Sequence, residues 1–168
     1  MIIWIASYPK SGNTWIRALI AYYFFSKEEK FSFDLLKHIP NFNVSDYVNE
    51  NYPLKSNDDI IKNWLPIQKF INNKFKRNLL FKTHNACIKI KDNSFTNNEV
   101  SAGCIYIVRD PRNVVLSYAR HTKQSIEETV KFVTTGMSIK HDIMGNWSEN
   151  YQSWKALKEH SKYLLIRY

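Results

Sequence analysis

The string Tyr8-Pro9-Lys10-Ser11-Gly12-Asn13-Thr14-Trp15 joins a short apolar run, residues 2–6, to a segment with helical spacing. A loop between a buried strand and a helix aims backbone N–H groups at the helix N-terminus, where an anion is favoured. Lys10 adds a full positive charge, Ser11 and Thr14 add hydroxyl donors, and Gly12 gives the backbone freedom to turn. Together these residues make a phosphate cradle. It is not the nucleoside-triphosphate loop, whose pattern needs an upstream Gly and a Lys directly after the second Gly, because Lys10 precedes Gly12. A tight turn with a solvated lysine is the bland alternative, and the position between strand and helix weighs against it.

Two further strings have chemical potential. Arg109-Asp110-Pro111-Arg112-Asn113-Val114-Val115-Leu116-Ser117-Tyr118 follows an apolar run. The Arg109 guanidinium offers a planar fork for phosphate oxygens, and Ser117 lies two helical turns further on, where its hydroxyl can face the same ligand. A surface arginine beside a helix cap is the competing reading, weakened by the first loop in the same chain. Lys82-Thr83-His84 follows the run Leu79-Leu80-Phe81, so in a parallel sheet its side chains emerge at the same edge as the other two loops. A histidine with its ordinary pKa of about 6.5 is neutral near pH 7 and can take a proton. Of the five histidines, His38, His121, His141 and His160 sit in or near helical patterns and read as surface or core residues. His84 alone has a catalytic position.

The elements that must hold these groups are legible from periodicity. Residues 2–6, 79–81, 104–108 and 163–166 are continuous apolar runs, as expected of parallel strands buried on both faces. Trp15, Ala18, Leu19 and Tyr22 recur at helical spacing, which predicts a helix over 14–25 packed on the sheet through that stripe. Pro111 suits the first turn of a helix with the stripe Val114, Val115 and Tyr118. Ser125 and Glu128 form a capping box for a helix over 126–135, with Gly136 as its stop. Trp147, Tyr151, Trp154 and Leu157 form another stripe, and Trp154 is read as a packing residue. Between 26 and 78 the pattern is weaker: a charged turn at 27–30, loops marked by Pro40 and Pro53, and a helix around Ile60, Ile61 and Trp64 that Pro66 interrupts or kinks. Strands alternating with helices define an α/β class with one domain.

Composition sets the outer bounds. The 168 residues carry a formal charge of +9, which favours an anionic ligand. No run of five or more like charges occurs, so a polybasic arm for nucleic acid or membrane is not expected. Cys87 and Cys104 are too few for a disulfide framework and lack zinc-site spacing; they read as reduced core thiols. The first apolar run is too short for a signal peptide or a membrane span. The expectation is a cytoplasmic protein with no metal, no nucleic-acid partner and no membrane partner.

The three strings resemble those of sulfotransferases that use 3'-phosphoadenosine-5'-phosphosulfate (PAPS), in which the first loop is commonly Tyr-Pro-Lys-Ser-Gly-Thr-Thr-Trp. Only Asn13 departs from it. The resemblance implies a three-layer fold, a parallel sheet flanked by helices, related to the P-loop nucleotide-binding folds. It implies that Lys10 meets the sulfuryl or bridging oxygens, that Ser11, Gly12, Asn13 and Thr14 bind the 5'-phosphate, and that Trp15 packs on the adenine. Arg109 and Ser117 would grip the 3'-phosphate, His84 would be the base, Lys82 would reach the sulfuryl oxygens, and Tyr168 would touch the adenine end. Gly145-Asn146-Trp147 resembles the family's Gly-x-Trp segment. Residues 26–78 and 85–100 would shape the pocket for a small-molecule acceptor, and 3',5'-diphosphoadenosine would be the product. The family's closing Arg-Lys-Gly-x-x-Gly-x-x-x-Lys stretch and dimerisation segment have no counterpart before Tyr168, so the resemblance implies a single domain, C-terminally truncated relative to the family, and a monomer. Two alternatives stay open: a noncatalytic or truncated nucleotide-binding module, and a P-loop-type nucleotide kinase, for which Asp110 is the one acid after a strand that could hold magnesium.

Overall fold

The structure is a computed structural model that describes residues 1–27, 30–48, 54, 56–136, 138–139, 142–159 and 162–168. Pro53, His141, His160 and two residues of the charged stretch at 27–30 lie outside these. Four strands form one parallel sheet: β1 (Ile2–Ser7), β2 (Leu79–Thr83), β5 (Ser101–Val108) and β8 (Lys162–Arg167), in the order β2-β1-β5-β8. Two small hairpins, β3 (Lys89–Ile90) with β4 (Asn93–Ser94) and β6 (Ser138–Ile139) with β7 (Asp142–Ile143), lie outside it. The helices are α1 (Asn13–Phe25), α2 (Asn57–Phe75), α3 (Pro111–Thr122), α4 (Ile126–Thr135) and α5 (Trp147–Lys155), with short 3-10 helices at Phe33–His38, Val44–Tyr47 and Ala156–Glu159.

The period of two along a strand sends alternate residues of β1 to opposite faces. Ile2, Trp4 and Ala6 face a core built with Phe81, Cys104, Tyr106, the α2 residues Ile60, Ile61, Trp64, Ile67 and Ile71, and Trp154 of α5. Ile5 faces the other way, into a core with Ala21, Ile39 and Ile107. A third cluster joins Tyr8 to Val114, Val115 and Tyr118 of α3 and to Phe132 and Val133 of α4. The sheet therefore lies between helical layers, as expected for the α/β class.

Two local expectations are corrected. The α1 stripe is rotated: Ala21 is buried, with Ile16, Ile20 and Phe25 packed beside it, whereas Trp15 is 66% and Leu19 62% exposed. The helix reads NTWIRALIAYYFF and is apolar on nearly every side, so its period does not select a face. Pro66 does not interrupt α2, which runs unbroken through it. The proline is exposed, so the carbonyl one turn earlier, freed by its missing N–H, can turn to water. Capping explains the other boundaries. Ser56 with Asp59, Ser125 with Glu128 and Asn146 with Glu149 each form a reciprocal capping box, and Pro111 stands in the first turn of α3 as its fixed φ permits.

Because all four sheet strands run the same way, their C-terminal ends share one edge. Thr83 pairs with Ala6, Ile107 with Ser7, and Arg167 with Val108. The three sequence strings and Tyr168 all leave the sheet at that edge.

Candidate active site

A cavity of about 510 Å³ opens at this edge and is lined by Lys10, Gly12, Asn13, Thr14, Trp15, Lys82, His84, Arg109, Ser117 and Tyr168, together with Tyr118, His121 and Asp142. It brings ten of the eleven sequence-predicted site residues to one place. Ser11 is buried beneath the loop, and its hydroxyl has no partner.

The loop from Tyr8 to Asn13 is held from three sides. Tyr8 is buried against α4, its ring 6.4 Å from that of Phe132. Lys10 adopts φ 64 and Gly12 φ 94, both left-handed. The strain at Lys10 is held by Arg109, whose Nη1 donates to the Lys10 carbonyl at 2.9 Å. The same guanidinium lies 5.0 Å from the centre of the Tyr168 ring, and that ring covers Gly12 so closely that a Cβ there would meet it at 2.5 Å. Gly12 caps α1 without a side-chain bond, and the first turn carries no acid. The opening N–H groups of the helix therefore face the loop with no capping side chain.

Asn13, the one departure from the family string, has a structural role. Its Nδ2 donates to the Ile5 carbonyl and to Ser7 Oγ, each at 3.1 Å, so the carboxamide nitrogen ties α1 to β1. Its buried Oδ1 has no partner.

His84 is oriented by the backbone. Its Nδ1 is 2.7 Å from the Ser7 carbonyl oxygen, an atom that can only accept, so Nδ1 carries the proton and Nε2 keeps its lone pair. Burial pushes the imidazole down to about 3, and Lys82, Arg17 and Lys10 push the same way, against the Ser7 hydrogen bond. His84 is nonetheless partly open to the cavity. Burial also lowers the Lys82 ammonium, with Asp142 opposing and Arg17 assisting. Arg17 stands behind this group, its Nη2 donating to the Ile39 carbonyl at 2.6 Å.

A second contribution to holding His84 comes from Asn150 on α5, which is fully buried. Its Nδ2 donates to the His84 carbonyl at 3.0 Å and to the Met144 carbonyl at 2.8 Å, while its Oδ1 accepts from Tyr106 at 2.8 Å. Asn150→Ala would strand all three groups, so unfolding in urea should show a loss of roughly 1–3 kcal/mol. A midpoint equal to that of the parent protein would remove Asn150 from this supporting role.

On the other side of the loop a second cavity, also about 510 Å³, is lined by Lys10, Arg109, Asn113, Ser117, Arg120 and His121. Arg120 and His121 were not expected here, although His121 follows Ser117 by one helical turn and so shares its face. Asp110 accepts from the Arg112 amide at 2.9 Å and from its guanidinium, caps α3, and is held down to about 2 by those bonds. Trp154 lies wholly in the core, its Nε1 donating to the Asn85 carbonyl at 2.8 Å. Among the described residues no group of three or more His, Cys, Asp or Glu could hold a metal ion, and no helix is long and apolar enough to cross a membrane.

Residues 2–168 match the family model of the sulfotransferase domain, and the chain belongs to that family. A curated relative, cytosolic sulfotransferase 17 of Arabidopsis thaliana, is 29% identical over 164 residues, covering 85% of this chain and 41% of the relative. Among solved structures, a mouse sulfotransferase (SULT7A1) complexed with PAP superposes with a TM-score of 0.56 at 18% identity, over 99% of this chain and 50% of that one. Retinol dehydratase in complex with androsterone and the inactive cofactor PAP gives a TM-score of 0.56 at 14% identity, over 98% and 53%. The fold is thus the parallel-sheet sulfotransferase fold, and the chain spans about half the length of the proteins it matches.

Proposed function

We propose that this chain binds PAPS and transfers its sulfuryl group to a hydroxyl or amine of a small-molecule acceptor. The observation that carries the reading is the meeting, in one cavity, of the Lys10–Thr14 loop, Arg109 with Ser117, and a His84 whose Nε2 is free to accept a proton.

The residues fit such a nucleotide. The unpartnered Ser11 hydroxyl, the uncapped start of α1 and Lys10 suit a 5'-phosphate. The neighbouring cavity, with Lys10, Arg109, Arg120, His121 and Ser117, suits a 3'-phosphate. Trp15 and Tyr168 border the first cavity with aromatic surface suited to an adenine. Asn13 contributes its backbone N–H and the anchorage of the loop. In the transfer, an oxygen or nitrogen of the acceptor forms a bond to sulfur as the bond from sulfur to the 5'-phosphate oxygen breaks. His84 Nε2 takes the acceptor's proton, and the leaving 3',5'-diphosphoadenosine keeps the electron pair. Lys10 and Lys82 stabilise the charge that develops on the leaving phosphate and the sulfuryl oxygens.

The relatives support a small-molecule acceptor, since retinol dehydratase has been solved with androsterone and with retinol. A cytoplasmic location is supported by the cytosolic relative and by the two free cysteines. A monomer without nucleic-acid or membrane partners, forming a single domain, completes the reading. The kinase alternative is disfavoured because Asp110 is engaged as the α3 cap and by Arg112. Transfer of labelled sulfate from PAPS to a panel of alcohols, phenols and amines tests the proposal. Protein-dependent labelling is the expected outcome, and nucleotide binding with no labelling of any acceptor would favour the noncatalytic module.

A further inference from the structure

At the Nδ1 side of His84, away from the free Nε2, polar groups of β1 and α1 stand in line. The Asn13 carboxamide donates to Ser7 Oγ at 3.1 Å, and that oxygen lies 3.4 Å from His84 Nδ1. The Ser7 carbonyl oxygen is 2.7 Å from the same Nδ1. Ser7 is wholly buried and Asn13 is 5% exposed, so bulk water does not compete for these bonds. Asn13 Nδ2 also donates to the Ile5 carbonyl at 3.1 Å, an atom that can only accept, which turns the carboxamide nitrogen toward Ser7. Because Nδ1 carries a proton, Ser7 Oγ can meet it only as an acceptor. A hydroxyl oxygen has two lone pairs; Asn13 occupies one, and the other is left for Nδ1–H.

The second acceptor acts at the moment of transfer. When His84 takes the acceptor's proton, the ring becomes an imidazolium, both nitrogens donate, and the bond from Nδ1–H strengthens. That charge forms among cations. Lys10 of the phosphate loop, Arg17 of α1 and Lys82 of β2 oppose it, whereas the Ser7 hydrogen bond favours it. Arg109 and His121 line the same cavity, and among the described residues Asp142 of β7 is its one carboxylate. Oxygen atoms at Nδ1 therefore bear directly on how readily the base accepts a proton. Catalytic hydrogen bonds are often long before substrates bind and tighten in the reacting complex, which suits a contact of 3.4 Å at the hydroxyl.

We propose that Ser7, through its hydroxyl, and Asn13, through Ser7, are positioning residues for the base, holding a second oxygen acceptor at Nδ1 that steadies the imidazolium as it forms. The inference rests on the assignment of His84 as the base. It gives Asn13 a part on both sides of the reaction. Its backbone opens α1 at the phosphate loop, while its side chain reaches back toward the base. The donor loop and the base are thus joined in one hydrogen-bonded unit.

The test compares Ser7→Ala, Asn13→Ala and the double variant in transfer of labelled sulfate from PAPS to phenol and to 2-phenylethanol, with calorimetry of 3',5'-diphosphoadenosine alongside. Ser7→Ala keeps the carbonyl and removes only the second acceptor, so kcat should fall roughly three- to tenfold, with nucleotide affinity within about twofold of the parent. The imidazolium loses a stabilising partner, so the acid limb of kcat should move to lower pH by about half a unit. A merely structural role would lower kcat and leave that limb in place. Asn13→Ala should lower kcat as well and also weaken the nucleotide, since the loop loses its tie to β1. The losses in kcat should not multiply in the double variant, because both substitutions cut the same chain of contacts. The proposal is overturned if kcat in Ser7→Ala stays within about twofold of the parent, if the acid limb does not move, or if the two losses multiply. His84→Ala separates this result from the reading beneath it. Turnover lost there and unchanged in Ser7→Ala defeats the positioning role alone, whereas turnover retained there removes the base and this inference with it.

Discussion

Replacing His84 with alanine is expected to lower the sulfuryl-transfer rate by roughly 10²–10⁴-fold while changing affinity for 3',5'-diphosphoadenosine by no more than about twofold. The Ser7 carbonyl fixes the Nδ1–H tautomer at 2.7 Å, so the substitution removes a lone pair aimed at the acceptor and leaves the phosphate loop untouched. The pH dependence carries a further signature. With the imidazole pushed down to about 3 by burial and by Lys82, Arg17 and Lys10, the active, neutral form persists throughout the neutral and mildly acid range, and activity is lost only as pH falls through the folded value. A polyanionic donor would offset the three cations and raise that value. The acid limb of kcat, which reports the complex, should therefore lie at higher pH than that of kcat/KM, which reports the free protein. Coincident limbs would contradict this electrostatic account. Retained turnover in His84→Ala would remove the base.

The second large effect is expected at Gly12. An alanine there must hold φ near 94 and place its Cβ 2.5 Å from the Tyr168 ring. The ring would have to leave Gly12 and, with it, its seat against Arg109. The left-handed backbone costs a non-glycine residue roughly 1–2 kcal/mol, and disturbing the loop should weaken nucleotide binding by about tenfold or more. Gly12→Ala combined with Tyr168→Ala relieves the clash and keeps the backbone strain. Thermal unfolding should therefore show stability regained in part, with nucleotide affinity still low. Parental affinity in Gly12→Ala would show that the loop does not need this conformation.

The same details explain what was legible in the sequence. The strands 2–6 and 104–108 could be read because burial in the middle of the sheet leaves an unbroken apolar run; 79–81 and 163–166 are apolar runs on the two edge strands, and Leu164 there is exposed. The helix starts at Pro111 and Ser125 could be read because caps are local chemistry. The buried face of α1 could not, since Trp15, Leu19, Tyr22 and Tyr23 make it apolar all round. Pro66, read as interrupting or kinking the helix, does not interrupt it, because a proline on the exposed side of a long helix gives up one hydrogen bond without breaking it.

In the site, the residues within the three strings were legible because each string follows a strand, and parallel strands deliver their ends to one edge. The supporting groups were not. Ser7 acts through its carbonyl, which no side chain advertises. Asn150 reaches His84 across 66 residues of sequence, and Asp142 enters both cavities from a two-residue strand. Only His121 left a local signal, its spacing of one turn from Ser117.

The most direct measurement of the central claim is calorimetric titration of the chain with 3',5'-diphosphoadenosine and, separately, with ATP. A site formed by the Lys10–Thr14 loop together with Arg109, Ser117, Arg120 and His121 should prefer the ligand with a 3'-phosphate, by roughly tenfold or more, and lose that preference in Arg109→Ala. Equal or tighter binding of ATP would contradict the assignment of this cavity to PAPS.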